Sequence, residues 1–174
     1  LYAQLRQANA LEDMLICVAG DVLHSKTDMS PESVSLASEF FTKLSEIAPV
    51  VVIPGNHDMN LANSSRLDSL SPIISNMSNP NIHYFLNSGV YTVGNVDFAV
   101  CSILGDRQDW PTVTQCQSEH KVALYHGPVY SATTDVGYTI TDRHVDVSTF
   151  DGFPITMLGD IHKFQQLSGG SSVV

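Results

Sequence analysis

Cysteine is scarce in this 174-residue chain, and its three copies, Cys17, Cys101 and Cys116, form no CxxC pair. An odd, widely spaced set argues against a disulfide framework and against a thiolate zinc site, and it fits a reducing compartment. Basic residues are also few: 8 Lys and Arg stand against 18 Asp and Glu, for a formal net charge of −10 and an isoelectric point near 4.8. With no broad cationic face to grip a polyanion, any chemistry on phosphates must draw its positive charge from elsewhere. No window approaches the roughly 18 consecutive apolar residues of a membrane span. The opening LYAQLRQANALEDM has neither the basic stretch nor the apolar run of a secretion signal. A cytoplasmic protein without membrane attachment is expected. What the chain does have is apolar content: 43% hydrophobic and only 15% charged residues is far from a disordered composition and supports one domain over 1–174 with a sizeable core.

Residues 2–13 have helix-forming composition and lead into the apolar run Met14 to Ala19, which reads as a helix feeding a buried strand. Ser30-Pro31 supplies an N-cap and a first-turn proline, and Val34, Ala37, Phe41, Leu44 and Ile47 recur at spacings of 3, 4, 3 and 3. That pattern predicts an amphipathic helix, stopped by Pro49. Val50 to Ile53 forms a second apolar strand, broken by Pro54-Gly55, and two strands around a helix imply a parallel βαβ unit. A helix is expected around Arg66 to Ser75, followed by short alternating strands at Ile82–Leu86, Val90–Val93 and Val96–Ile103. Gly94-Asn95 marks a tight hairpin between the last two. Gly105 to His120 reads as a long loop, and Pro128 to Asp151 as polar, irregular chain holding a hairpin. Between and after them, Val122–Tyr125 and Ile155–Leu158 read as strands. No internal repeat, low-complexity run or linker divides the chain.

Four apolar strands end in polar clusters: Gly20-Asp21, Gly55-Asn56-His57-Asp58, His126-Gly127 and Gly159-Asp160-Ile161-His162. In open α/β sheets ligands bind beyond the carboxyl ends of the strands, so four such ends should converge on one site. Carboxylate, amide oxygen and imidazole without thiolate are donors for hard to borderline divalent metals. Two such ions would activate water and neutralise a phosphoryl group, supplying the charge the composition lacks. Bland readings stand beside these. Gly20-Asp21 also fits a plain turn, and His126 alone fits a hydrogen-bonded strand end. In Gly-Asn-His-Asp, by contrast, turn formers bracket an imidazole with no evident folding use. His83, His120 and His144 read as surface or loop residues, and Cys17 and Cys101 as core.

The ordered set GD, GNHD, HG and GxxH resembles the calcineurin-like metallophosphoesterase superfamily. Gly20 to His24, Pro54 to Asp58, Tyr125 to Gly127 and Leu158 to Lys163, with the Phe150-Asp151-Gly152-Phe153 turn, are most similar to the SbcD-type nuclease subunit of DNA double-strand-break repair. The resemblance implies an α/β fold, the four-layer α/β/β/α sandwich of that superfamily. It also implies two divalent metal ions, Mn²⁺ with Mg²⁺ as the alternative. Asp21 would bridge them, Asn56 and His126 would bind the second, and His162 the first. His57 would face the scissile phosphate as charge stabiliser or acid, His24 would help position the phosphate, and Asp58 would orient His57 by hydrogen bonding. The implied partners are DNA and an SbcC-type ATPase subunit, with a homodimer allowed, in a bacterial or phage-infected host cytoplasm.

Two departures stand out. The family pattern ends GHxH, whereas this chain places Asp160 where a second-metal imidazole is expected; as a harder, anionic donor, Asp160 should retain Mn²⁺ or Mg²⁺ and weaken a zinc preference. The family also opens with an Asp-x-His on a first strand, and none precedes Asp21. The sandwich is therefore expected to be incomplete, a fragment whose first strand is missing. Two other functions fit the same residues: a calcineurin-like phosphatase or cyclic-nucleotide phosphodiesterase with smaller substrates, and an inactive metallophosphoesterase-like remnant or scaffold.

Overall fold

Val50 to Ile53 is a run of β-branched residues that suits only a strand covered on both faces, and all four are buried. They form a strand of a computed structural model that describes residues 1–10, 13–24, 29–63, 65–167 and 172–173. Contacts divide the chain into two compact units, Leu1–Phe85 and Leu86–Val174.

The first unit runs α1 (Tyr2–Asn9), β1 (Ile16–Ala19), α2 (Pro31–Ser45), β2 (Val50–Ile53), α3 (Ser71–Met77) and β3 (Ile82–Tyr84). Its sheet has the order β1-β2-β3 and is parallel throughout, with Ile16 opposite Val50 and Val50 opposite Ile82. The expected βαβ unit is present. Ser30 caps α2 by accepting the Ser33 N–H at 3.2 Å, with Pro31 in the first turn. The helix ends at Ser45, before Pro49 restricts the backbone. Its apolar stripe puts Phe41 and Leu44 against Val50, Val52, Leu70 and Ile73, which is the core of this unit.

Several details differ from the sequence reading, β1 starting at Ile16 and β3 ending at Tyr84 among them. The first helix is described only as far as Asn9 and Ala10; Leu11 and Glu12 lie outside the described residues. α3 begins at Ser71 and not near Arg66, because buried Asp68 accepts the N–H groups of Leu70 (2.8 Å) and Ser71 (2.7 Å) and starts the helix there. The strand at Ile82 belongs to the parallel sheet and not to the alternating strands that follow, since α3 returns the chain alongside β2.

The second unit contains β4 (Gly89–Val93), β5 (Val96–Cys101), β6 (His120–His126), β7 (Ile155–Gly159) and β8 (Ser172–Val173), in that order across one sheet. β4 and β5 form the antiparallel hairpin signalled by Gly94-Asn95, with Gly94 at φ +61°. The pairs β5–β6, β6–β7 and β7–β8 are parallel. Two 3₁₀ turns, Arg107–Asp109 and Val113–Gln115, lie in the long loop before β6, and a third, Val147–Phe150, precedes β7. The hairpin expected in the irregular segment is a single antiparallel bridge between Thr133 and Thr139. One face of the sheet presents Ala99, Cys101, Ala123 and Tyr125 to Phe150, Phe153, Trp110 and Val113. Phe98, Val100, Val122 and Leu124 alternate onto the other face and are buried too. The expected mixed α/β architecture of two sheets with helices is observed. No helix among the described residues is long and apolar enough to cross a membrane.

Candidate functional site

In the first unit, β1 and β2 run parallel with Ala19 opposite Ile53, so the segments that follow them leave the same end of the sheet. Gly20 (φ +89°) and Asp21 (φ +53°) turn the chain through left-handed conformations directly after β1. After β2, Pro54-Gly55 breaks the strand and residues 56–58 form a turn. Asp21 Oδ1 accepts the backbone N–H of His57 at 2.9 Å, which ties the two segments together. The rings of His24 and His57 stack, with centroids 5.2 Å apart and planes 19° from parallel. His57 Nδ1 lies 3.1 Å from the carbonyl oxygen of His24. A carbonyl only accepts, so the hydrogen sits on Nδ1, and Nε2 of His57 is left to take up or give a proton. Both rings are exposed, and Asn56, between Gly55 and His57, is half-buried.

Asp58 does not do what was expected of it. Its side chain is fully buried, and both oxygens are committed to backbone donors: Oδ1 to the Leu23 N–H (2.9 Å), Oδ2 to the N–H groups of Gly55 (2.9 Å) and Val22 (3.3 Å). The contact that orients the His57 ring comes from the His24 carbonyl and not from Asp58. Burial pushes the Asp58 carboxyl above its ordinary range, against the pull of those three N–H groups.

A cavity of about 570 Å³ opens beside this loop, lined by Val18, Asp21, His24, Leu36, Ala37 and Phe40 among others. Leu36 and Phe40 were not singled out from the sequence. The available signal is that Leu36 is apolar yet exposed, off the stripe that α2 turns to its core, while Phe40 flanks that stripe and packs only partly against it.

In the second unit, β6 and β7 pair with His126 opposite Gly159, so His126 and Asp160 emerge side by side. His126 is 2% exposed, and its Nε2 stands 3.8 Å from Asp160 Oδ1. That separation exceeds a hydrogen bond, but it suits two donors bound to one ion at roughly 2.1 Å each. An imidazole and a carboxylate, one buried and one half-buried, are fitting donors for a borderline or hard divalent cation. Asp160 sits at φ +88°, a conformation costly for a residue with a Cβ. Gly127 adopts φ +156°, and a Cβ there would lie 2.4 Å from the Tyr125 hydroxyl. That hydroxyl is pushed up to about 12, first by burial and then by the charge of Asp160. His162, two residues further on, is exposed.

Across the chain, the family model of calcineurin-like phosphoesterases matches residues 1–164. The chain belongs to the calcineurin-like phosphoesterase family. It is 42% identical over 182 residues to a protein of Acanthamoeba polyphaga mimivirus named "Uncharacterized protein R555". The match takes in 99% of this chain, which spans only 13% of the length of that relative. A solved crystal structure matches 99% of this chain and 83% of its own, with a TM-score of 0.58 at 14% identity, a likeness of fold. Membership places this calcineurin-like phosphoesterase domain among metal-dependent hydrolases of phosphoesters.

Proposed function

We propose that this domain is a nuclease of SbcD type, hydrolysing phosphodiester bonds of DNA in double-strand-break repair or recombination together with an SbcC-type ATPase. The metal ligands in this reading are Asp21, Asn56, His126, Asp160 and His162, for a pair of Mn²⁺ ions. Such ions, when bound, supply the positive charge and Lewis acidity that orient a phosphoryl group and activate water. They also offset part of the acidic charge that otherwise opposes a DNA substrate. The three cysteines are free thiols, in keeping with a reducing cytoplasm.

The observation that carries the reading is the His24–His57 pair. His24 stands three residues after Asp21, as in the nuclease branch, and its carbonyl fixes the tautomer of His57 while its ring stacks on it. Nε2 of His57 is thereby the atom that handles the proton. Protonated, it stabilises charge on a phosphate oxygen or delivers its proton to the leaving oxygen.

The test is degradation of linear duplex DNA by the full-length gene product with its ATPase partner in Mn²⁺. His57→Ala should abolish the activity. Hydrolysis of small phosphoesters without attack on DNA would select a phosphatase or cyclic-nucleotide phosphodiesterase instead. A complex inert toward every phosphoester would leave the scaffold reading.

A further inference from the structure

The buried carboxylate of Asp58 ties together two segments that lie far apart in sequence. The Asp58 carboxylate reaches back over a long and a short span at once: Val22 and Leu23 lie 36 and 35 residues before it, and Gly55 three residues before it. The left-handed turn at Gly20 and Asp21 ends the ladder of β1, so the N–H groups of Val22 and Leu23 need a partner outside the sheet. Burying a charge is costly unless several donors compensate it, and a carboxylate is the side chain that can hold three N–H groups together. The main chain of Asp58 is anchored in turn: its carbonyl accepts both the N–H (2.9 Å) and the hydroxyl (3.1 Å) of Ser69. Ser69 adjoins Asp68, the residue that starts α3. The segment after β1 is thus fastened, through Asp58, to the body of the first unit.

Two bonds run beside this link. Asp21 accepts the His57 N–H, and the His24 carbonyl holds His57 Nδ1. Both depend on the segment 20–24 keeping its place against the turn 55–58, and Asp58 is the buried part of that link. From this closed set of bonds, we infer that Asp58 is a positioning residue: it locks the segment after β1 to the turn after β2 and so sets the placement of Asp21 and of the His24–His57 pair. It touches no substrate. The inference rests on the proposed phosphodiester chemistry only for its catalytic consequence, and its structural part is tested without catalysis.

The test compares Asp58→Asn and Asp58→Ala in the full-length protein by hydrogen exchange and by kinetics. In Asp58→Asn, amides of residues 21–24 should exchange about 10-fold faster or more, as expected for one weakened charge-assisted hydrogen bond. Amides of β2 should keep their native rates. Asp58→Ala should extend the effect to Gly55 while β2 again stays protected. On whichever phosphoester the enzyme hydrolyses, kcat should fall about 100-fold with KM within about two-fold, because placement is lost and binding is not. Equal acceleration throughout β1, β2 and α2 in both variants would mean a general structural role and overturn the inference. So would unchanged exchange at 21–24. Local loosening in a protein inert toward phosphoesters would uphold the link and count against the proposed function alone.

Discussion

Asp97, 2% exposed, is the place where the second unit should be most sensitive to one atom. Its Oδ1 accepts the hydroxyls of Thr92 (2.7 Å) and Ser118 (2.8 Å), and its Oδ2 accepts the N–H groups of Gln117 (2.7 Å) and Ser118 (2.8 Å). One carboxylate therefore pins the β4–β5 hairpin to the chain entering β6. In Asp97→Ala all four donors lose their acceptor, and the two N–H groups cannot rotate to find another. Gln117 is exposed and Ser118 half-buried, so water meets part of the loss; at about 1 kcal/mol net for each of the four bonds, about 4 kcal/mol is expected, out of a total of roughly 5–15 for a domain. Asp97→Asn keeps one oxygen for the N–H groups and turns its NH₂ to hydroxyls that can rotate and accept, so about 2 kcal/mol is expected.

The pH dependence has a definite sign. The Ser118 N–H, the Thr92 and Ser118 hydroxyls and the Gln117 N–H hold the Asp97 carboxyl well below its usual range. A group whose folded value is lowered contributes stability that is fully present above its unfolded value, about 3.9, and is lost as pH falls below it toward the folded value. Urea unfolding at pH 7 and at pH 3, followed by circular dichroism, measures this. The gap between the parent and Asp97→Asn should be full at pH 7 and clearly narrower at pH 3. An equal gap at both pH values, or an Asn variant within about 0.5 kcal/mol of the parent at pH 7, would refute the charge-based account.

Three further outcomes are expected. Phe41→Ala removes a side chain with no exposed surface from the core of the first unit, and chemical denaturation should show a loss of about 3–5 kcal/mol. Gly127→Ala places a Cβ against the Tyr125 hydroxyl at a strained φ, and a thermal melt should record about 1–3 kcal/mol of destabilisation. Asp160→His exchanges a hard anionic donor for a softer neutral one beside His126; competition titrations should show zinc gaining about 10-fold on Mn²⁺, and no shift would deny Asp160 a ligand role.

Much of the first unit was legible because its signals are local. The Ser30-Pro31 start, the stripe from Val34 to Leu44 and the β-branched run at Val50 each act within a few residues, and together they define β1–α2–β2. The start of α3 is hard to read because Asp68, whose carboxylate holds the first N–H groups, is followed by Ser, Leu and Ser without an apolar period. β3 was grouped with the later strands because three residues look the same in a parallel and an antiparallel partner. In the site, residue types were legible and bonds were not. Nothing near Asp58 in the sequence announces that its acceptors are used 35 residues away, and a backbone carbonyl such as that of His24 leaves no signature at all. The parallel pairing of β5, β6 and β7 was equally hidden, since residues 102–119 and 127–154 lack the helical pattern that usually signals a crossover.

Those two connections also set the order in which the second unit can assemble. The β4–β5 hairpin closes over a two-residue turn and can form in microseconds. β6 and β7 must wait for long stretches of irregular chain to close before any ladder bond rewards them. During that interval the apolar edge of β5, from Phe98 to Cys101, is an open template for other chains. Yield on refolding should therefore fall with protein concentration for this unit before it does for the first, and a co-translational or chaperoned route is where the hairpin-first geometry would matter most.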